Sequence, residues 1–95
     1  MVLELAVLKI KAGETDAFEA ALNQAQEVLK KADGYLDHEF KKCMEEANQY
    51  ILLIRWENLE AHTEGFRKSS LFTEWRALIG PYFAETPQVL HYKTL

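Results

Sequence analysis

The stretch Gln49-Tyr50-Ile51-Leu52-Leu53-Ile54-Arg55-Trp56-Glu57 decides the fold. In an extended chain alternate side chains point to opposite faces, and here both sets, Tyr50/Leu52/Ile54/Trp56 and Ile51/Leu53, are apolar. A strand apolar on both faces belongs in the middle of a sheet. Upstream, Val2 to Ile10 has the same character, with Leu3, Leu5 and Val7 on one face and Val2, Ala6, Leu8 and Ile10 on the other. Glu4 is its lone acid, and Lys11-Ala12-Gly13 ends it. Tyr35 to Lys42 instead alternates Leu36, His38 and Phe40 with Asp37, Glu39 and Lys41, as a half-exposed edge strand does. The polar loop Met44 to Asn48 turns the chain back into the central stretch, and Thr86-Pro87 leads into a last strand, Val89 to Leu95.

Helical spacing fills the gaps. Phe18, Leu22, Ala25, Leu29 and Ala32 recur every three or four residues between Glu14 and Ala32, and Asp33-Gly34 supplies the exit turn. Asn58 can cap a helix starting at Leu59 that carries His62 and Phe66 along one side. A break near Ser69-Ser70 precedes renewed helical spacing over Leu71 to Ile79, which Gly80-Pro81 stops. The order βαββαβ over residues 1–95 predicts a single α+β, ferredoxin-like domain: a four-stranded antiparallel sheet, its first and third strands central, with both helices on one face. The other face is left bare and apolar, which predicts a homodimer packed sheet to sheet.

Composition narrows the partners. The formal charge is −4, and the eleven Lys and Arg are scattered among fifteen acids, which argues against nucleic acid. The longest apolar run, Tyr50 to Ile54, is too short to span a membrane, and the first residues lack the basic and apolar regions of a signal peptide. With Cys43 the only cysteine, no internal disulfide can form, and a cytoplasmic location is expected. The three histidines stand in no metal-ligand spacing with one another or with Cys43, and no nucleotide-binding glycine loop occurs. Neither metal nor cofactor is expected, and Cys43 is read as inert.

With this order of elements, the chain resembles the antibiotic biosynthesis monooxygenase domain family of dimeric α+β barrel proteins. The likeness spans essentially all 95 residues. It is carried by Val2-Leu3-Glu4-Leu5-Ala6-Val7-Leu8 before Lys11-Ala12-Gly13, by Asp33-Gly34-Tyr35, by Tyr50 to Trp56, by Leu59-Glu60-Ala61-His62 through Phe72-Thr73-Glu74-Trp75, and by His91-Tyr92. The resemblance implies one of several activities: cofactor-free oxygenation of quinol-type and polyketide aromatics, haem breakdown, or isomerisation of a small phosphorylated compound. Haem-degrading members use Asn, Trp and His at places that match Ala6, Phe66 and Arg76 here, so haem breakdown is disfavoured. Two histidines of many other members correspond to Phe66 and Leu71. The implied function is a cofactor-independent monooxygenase acting with O2 on a small aromatic or quinol-like molecule. The alternatives are a non-catalytic small-molecule binding dimer and an isomerase of a small phosphorylated carbonyl compound.

Such an oxygenation needs an apolar pocket and a base for the substrate's hydroxyl proton. Phe66, Phe72, Trp75, Tyr82 and Phe83 are either the pocket's lining or plain core. His38, titrating near neutrality, is the first candidate base, or else a hydrogen-bonded interior histidine. His62 either points into the cleft or decorates its helix, and Glu4 is either a base with a raised pKa or an exposed or dimer-paired charge. Arg76 either holds a substrate oxygen or phosphate or is a solvated helix arginine, whereas Arg55 and His91 are expected at the dimer interface.

Overall fold

The computed structural model describes all 95 residues. Its elements are β1 (Val2–Lys9), α1 (Thr15–Leu29), β2 (Tyr35–Lys42), β3 (Gln49–Trp56), a π-helical turn (Ala61–Phe66), α2 (Ser70–Ile79), a short 3-10 turn (Gly80–Tyr82) and β4 (Gln88–Tyr92). The four strands form one antiparallel sheet in the order β2-β3-β1-β4. This is the ferredoxin-like α+β arrangement, with the two doubly apolar strands in the middle as their composition requires.

Burial separates the faces of each central strand. Glu4, Ala6, Leu8 and Ile10 are buried under the helices, as are Tyr50, Leu52, Ile54 and Trp56, while Leu3, Leu5, Val7, Ile51 and Leu53 are only half-buried on the opposite face. Helix α1 closes the core with Phe18, Leu22, Ala25 and Leu29, and α2 adds Trp75 and Ile79. α1 lies over the β2–β3 side of the sheet: Gln26 reaches His38, and Glu19 reaches Tyr50 and Lys42. The π-helical turn lies over the β1–β4 side, where His62 meets Glu4 and His91.

Several local features depart from the sequence expectation. α1 stops at Leu29, and Lys31 and Ala32 continue it in tighter i→i−3 bonds to Val28 and Leu29. β4 ends at Tyr92 instead of continuing to Leu95. A bulge between Tyr35 and Asp37 puts Tyr35 opposite Trp56 and Asp37 opposite Arg55, so Tyr35 joins His38 and Phe40 on the helix side and Leu36 is left 44% exposed. Asn58 does cap its helix, its Oδ1 accepting the Ala61 N–H at 2.8 Å, but the turn that follows is π-helical. Ser69, in extended backbone, starts α2 where the break was expected.

Gly34 fixes how the π-helical turn sits. Its φ of +82° is open to glycine, and a Cβ built there would lie 2.5 Å from the Ala61 Cβ. The missing side chain lets the turn before β2 press against the residue preceding His62. The Gly34 carbonyl also accepts the Glu57 N–H at 2.8 Å, tying the end of β3 to the same point.

Candidate functional site

Between the π-helical turn, α2 and the helix side of β1 and β3 lies a cavity of about 320 Å³, within the range of small-molecule sites. Its floor is Ala6, Leu8, Leu52 and Ile54 from the sheet; its walls are Phe66, Phe72, Trp75, Ile79 and Phe83; Glu4, His62, Arg67, Arg76 and Thr86 bring the polar groups. In a π-helical turn the N–H of residue i+5 bonds the carbonyl of residue i, as Arg67 bonds His62 here at 2.9 Å. That wider turn presents His62, Phe66 and Arg67 together to the cavity. Phe83 is held in place because residues 82–84 pair with the end of β1: Lys11 N–H to the Tyr82 carbonyl at 2.9 Å and Ala84 N–H to the Lys9 carbonyl at 2.7 Å.

Glu4 is 6% exposed and stands in an apolar wall. Its Oε1 accepts the Trp56 indole N–H at 2.9 Å and lies 3.4 Å from His62 Nε2. Burial pushes its pKa up to about 7, against the smaller pull of the Trp56 hydrogen bond and the Arg67 charge. His62, 3% exposed and stacked on Trp56 with ring centroids 5.2 Å apart, is driven the other way, to about 3, first by burial and then by the charges of Arg67 and His91. Near pH 7 Glu4 is therefore about half protonated while His62 is neutral, and the close contact between them is no ion pair.

His91 completes the row. It is opposite Glu4 in the β1–β4 register, and its Nε2 is 2.7 Å from His62 Nδ1. Its pKa is lowered by burial and by Arg67, so both rings are neutral at pH 7 and share a single N–H between them. When Glu4 is ionised, the partners favour His62 with its proton on Nε2, accepting from His91 through Nδ1; when Glu4 is protonated, the reverse tautomers fit. Ionisation of the carboxyl thus propagates from the cavity wall to the edge strand.

The structure gathers most of the residues singled out from sequence. Glu4, His62, Phe66, Phe72, Trp75, Arg76 and Phe83 all border the one cavity, together with Ala6. It does not bring His38 there. His38 sits under α1 beside the opposite edge, its Nδ1 accepting from the Tyr35 hydroxyl at 2.5 Å and its Nε2 donating to Gln26 Oε1 at 3.0 Å. Both ring nitrogens are spent, and burial, with the Lys30 charge, lowers its pKa. Tyr82 also lies outside the cavity, edge-on to Phe18 at 6.3 Å between centroids. Arg55 pairs within the chain, with Asp37 of the neighbouring strand at 2.9 Å, and His91 faces inward. Arg67 and His91 are the site residues that sequence reasoning missed. The register of the last strand against β1 is the signal that would have found His91.

No group of three or more His, Cys, Asp or Glu is arranged to hold a metal ion, and no helix is long and apolar enough to cross a membrane.

Comparison with known proteins agrees with this architecture. The chain is 46% identical over 93 residues to the uncharacterised protein YczJ of Bacillus subtilis, covering 98% of each. A crystal structure of a candidate antibiotic biosynthesis monooxygenase from Bordetella bronchiseptica matches with a TM-score of 0.96 at 34% identity, over 99% of this chain and 96% of that one. SnoaB, a cofactor-independent oxygenase from Streptomyces nogalater, shares the fold at a TM-score of 0.82 and 13% identity, over 99% and 92% of the two chains. The model of the antibiotic biosynthesis monooxygenase family matches residues 1–78, which takes in every element up to α2 and most of the cavity wall, and the chain belongs to that family.

Proposed function

We propose that the protein is a cofactor-independent monooxygenase that oxidises a small aromatic or quinol-like substrate with O2, Glu4 being the base. The observation that carries this reading is a carboxyl with a pKa near 7 in the wall of an aromatic cavity. A base poised at working pH takes a phenolic proton most effectively. The resulting anion gives an electron to O2, and the substrate radical and superoxide combine at a ring carbon that bears hydrogen. Glu4 returns its proton to the peroxide, whose O–O bond breaks as that C–H is lost, leaving a new carbonyl and one water. The substrate supplies all the electrons, so no reductant is required. His62 and His91 adjust their tautomers to whichever state Glu4 is in.

We place this activity in a cytoplasmic homodimer joined through the half-buried sheet face, since Leu90 and Tyr92 extend that apolar surface onto β4. The lone free thiol, Cys43, suits a reducing compartment. Arg67 and Arg76 at the cavity favour, as a second reading, an isomerase of a small phosphorylated carbonyl compound, with Glu4 moving a proton between adjacent carbons.

The deciding experiment is oxygen uptake by the metal-stripped protein across hydroquinones and phenols of one to three rings. Saturable uptake that falls about a hundredfold or more in Glu4→Gln supports the proposal. Uptake unchanged in Glu4→Gln removes Glu4 as the base. Binding without any uptake leaves a non-catalytic small-molecule binding protein.

A further inference from the structure

Two cations in the cavity wall have no acid to neutralise them. The ion pairs of the structure engage Lys30, Lys41, Lys42, Arg55 and Lys68, but neither Arg67 nor Arg76, although acids outnumber bases in the chain fifteen to eleven. Both arginines border the cavity. Arg76, in the last turn of α2, holds its guanidinium carbon 5.9 Å from the Phe72 ring centroid and 5.7 Å from that of Phe83. Stacking on two rings fixes the planar fork without consuming its N–H donors.

Arg67 follows the π-helical turn, anchored by its backbone bond to His62, and its charge reaches Glu4, His62 and His91 alike. Glu4 is the one carboxyl at the cavity, and it is bonded to Trp56 and largely protonated below pH 7. Both arginines are exposed to solvent where they border the cavity and neither is engaged by an acid, so their forks are open to an incoming carboxylate, whose two oxygens they match. A volume of about 320 Å³ has room for one or two rings beside the carboxylate.

We propose that the cavity takes an aromatic acid of one or two rings, its carboxylate held by Arg76 and Arg67 and its reactive hydroxyl turned toward Glu4. This rests on the cavity being the substrate site proposed above. Calorimetric titration under nitrogen, where no oxygenation can occur, with three probes of one ring system tests it: 1-hydroxy-2-naphthoate, 1-naphthol and 1-naphthyl phosphate. The acid is expected to bind about tenfold tighter than 1-naphthol or better. In Arg76→Gln and Arg67→Gln that advantage should shrink while 1-naphthol binds as before, and Arg76→Lys should restore part of it. Equal affinity for acid and naphthol, no binding of any probe, an advantage that survives both substitutions, or tighter binding of the phosphate would each overturn the proposal. Oxygen uptake with 1,4-dihydroxynaphthalene and its 2-carboxylate separates this from the oxygenase reading. A carboxylate that binds through the arginines without consuming O2 sinks the oxygenase and keeps the anion site; equal turnover of the two quinols does the opposite.

Discussion

Glu4 is an expensive residue to bury. Between pH 4.5, its ordinary value, and about 7 the folded chain holds a proton that the unfolded chain has released, so stability falls as pH rises through that window. The loss, complete above pH 7, is about 3 kcal/mol by linkage. His62 acts in the opposite sense: from its ordinary 6.5 down to about 3 the unfolded chain holds the extra proton, so stability is lost as pH falls through that range. The two slopes oppose each other between 4.5 and 6.5 and leave a plateau there. Glu4→Gln keeps an oxygen for the Trp56 N–H and removes the ionisation, so urea unfolding at pH 8 should find it more stable than wild type by up to about 3 kcal/mol, and little changed at pH 4. For the wild type, turnover should rise with pH about a midpoint near 7, which a pH–rate profile reads directly. A lone acid in an otherwise apolar strand, Glu4, was legible from sequence as a group that burial would perturb. The choice between His38 and His91 was not. Both face the helices, from opposite edges of the sheet, and only the placement of α1 over β2 and of the π-helical turn over β4 decides that His91, and not His38, meets His62 at the cavity wall.

The elements around the site hold it by close approach rather than by many bonds. Gly34 and Gly13 make a natural pair of probes, since both have φ of +82° but only Gly34 has a neighbour, the Ala61 Cβ, where a side chain would go. Gly13→Ala should cost about 1 kcal/mol for backbone strain alone. Gly34→Ala should cost about 2 to 4 kcal/mol, because the π-helical turn must also move. Thermal unfolding of the two variants measures the difference, and equal costs would mean that Ala61 yields freely. Strand and helix spans were readable because apolar periodicity and caps such as Asn58 are local signals. The π-helical turn and the β2 bulge were not, because each depends on a neighbour: Ala61 against Gly34 in one case, Asp37 against Arg55 in the other.

At the scale of the molecule, its shape raises the question of the partner. Extents of 35 × 32 × 19 Å describe a slab one helix layer and one sheet layer thick, with nothing over the second sheet face. Leu3, Leu5, Val7, Ile51 and Leu53 lie half-buried there, Leu90 and Tyr92 are 48% and 47% exposed, and the Arg55–Asp37 pair sits among them. Covering even a few hundred Å² of such surface is worth several kcal/mol at about 25 cal/mol per Å², comparable with the stability of a whole domain. Leu53 is at the centre of this face, on a central strand opposite Leu5, and its side chain takes no part in the helix-side core. Leu53→Lys should therefore leave the monomer folded while placing two like charges across a sheet-to-sheet contact. Sedimentation equilibrium should show a wild-type dimer of about twice 11.0 kDa and a monomeric variant with unchanged far-ultraviolet dichroism. The cavity opens on the helix side, away from this face, so the monomeric variant should still bind a small ligand, weakened only as far as the sheet loses rigidity. A variant that dissociates and also loses all binding while keeping its secondary structure would mean that the partner subunit helps to shape the cavity. A wild type that sediments as a monomer would mean that this face has another occupant.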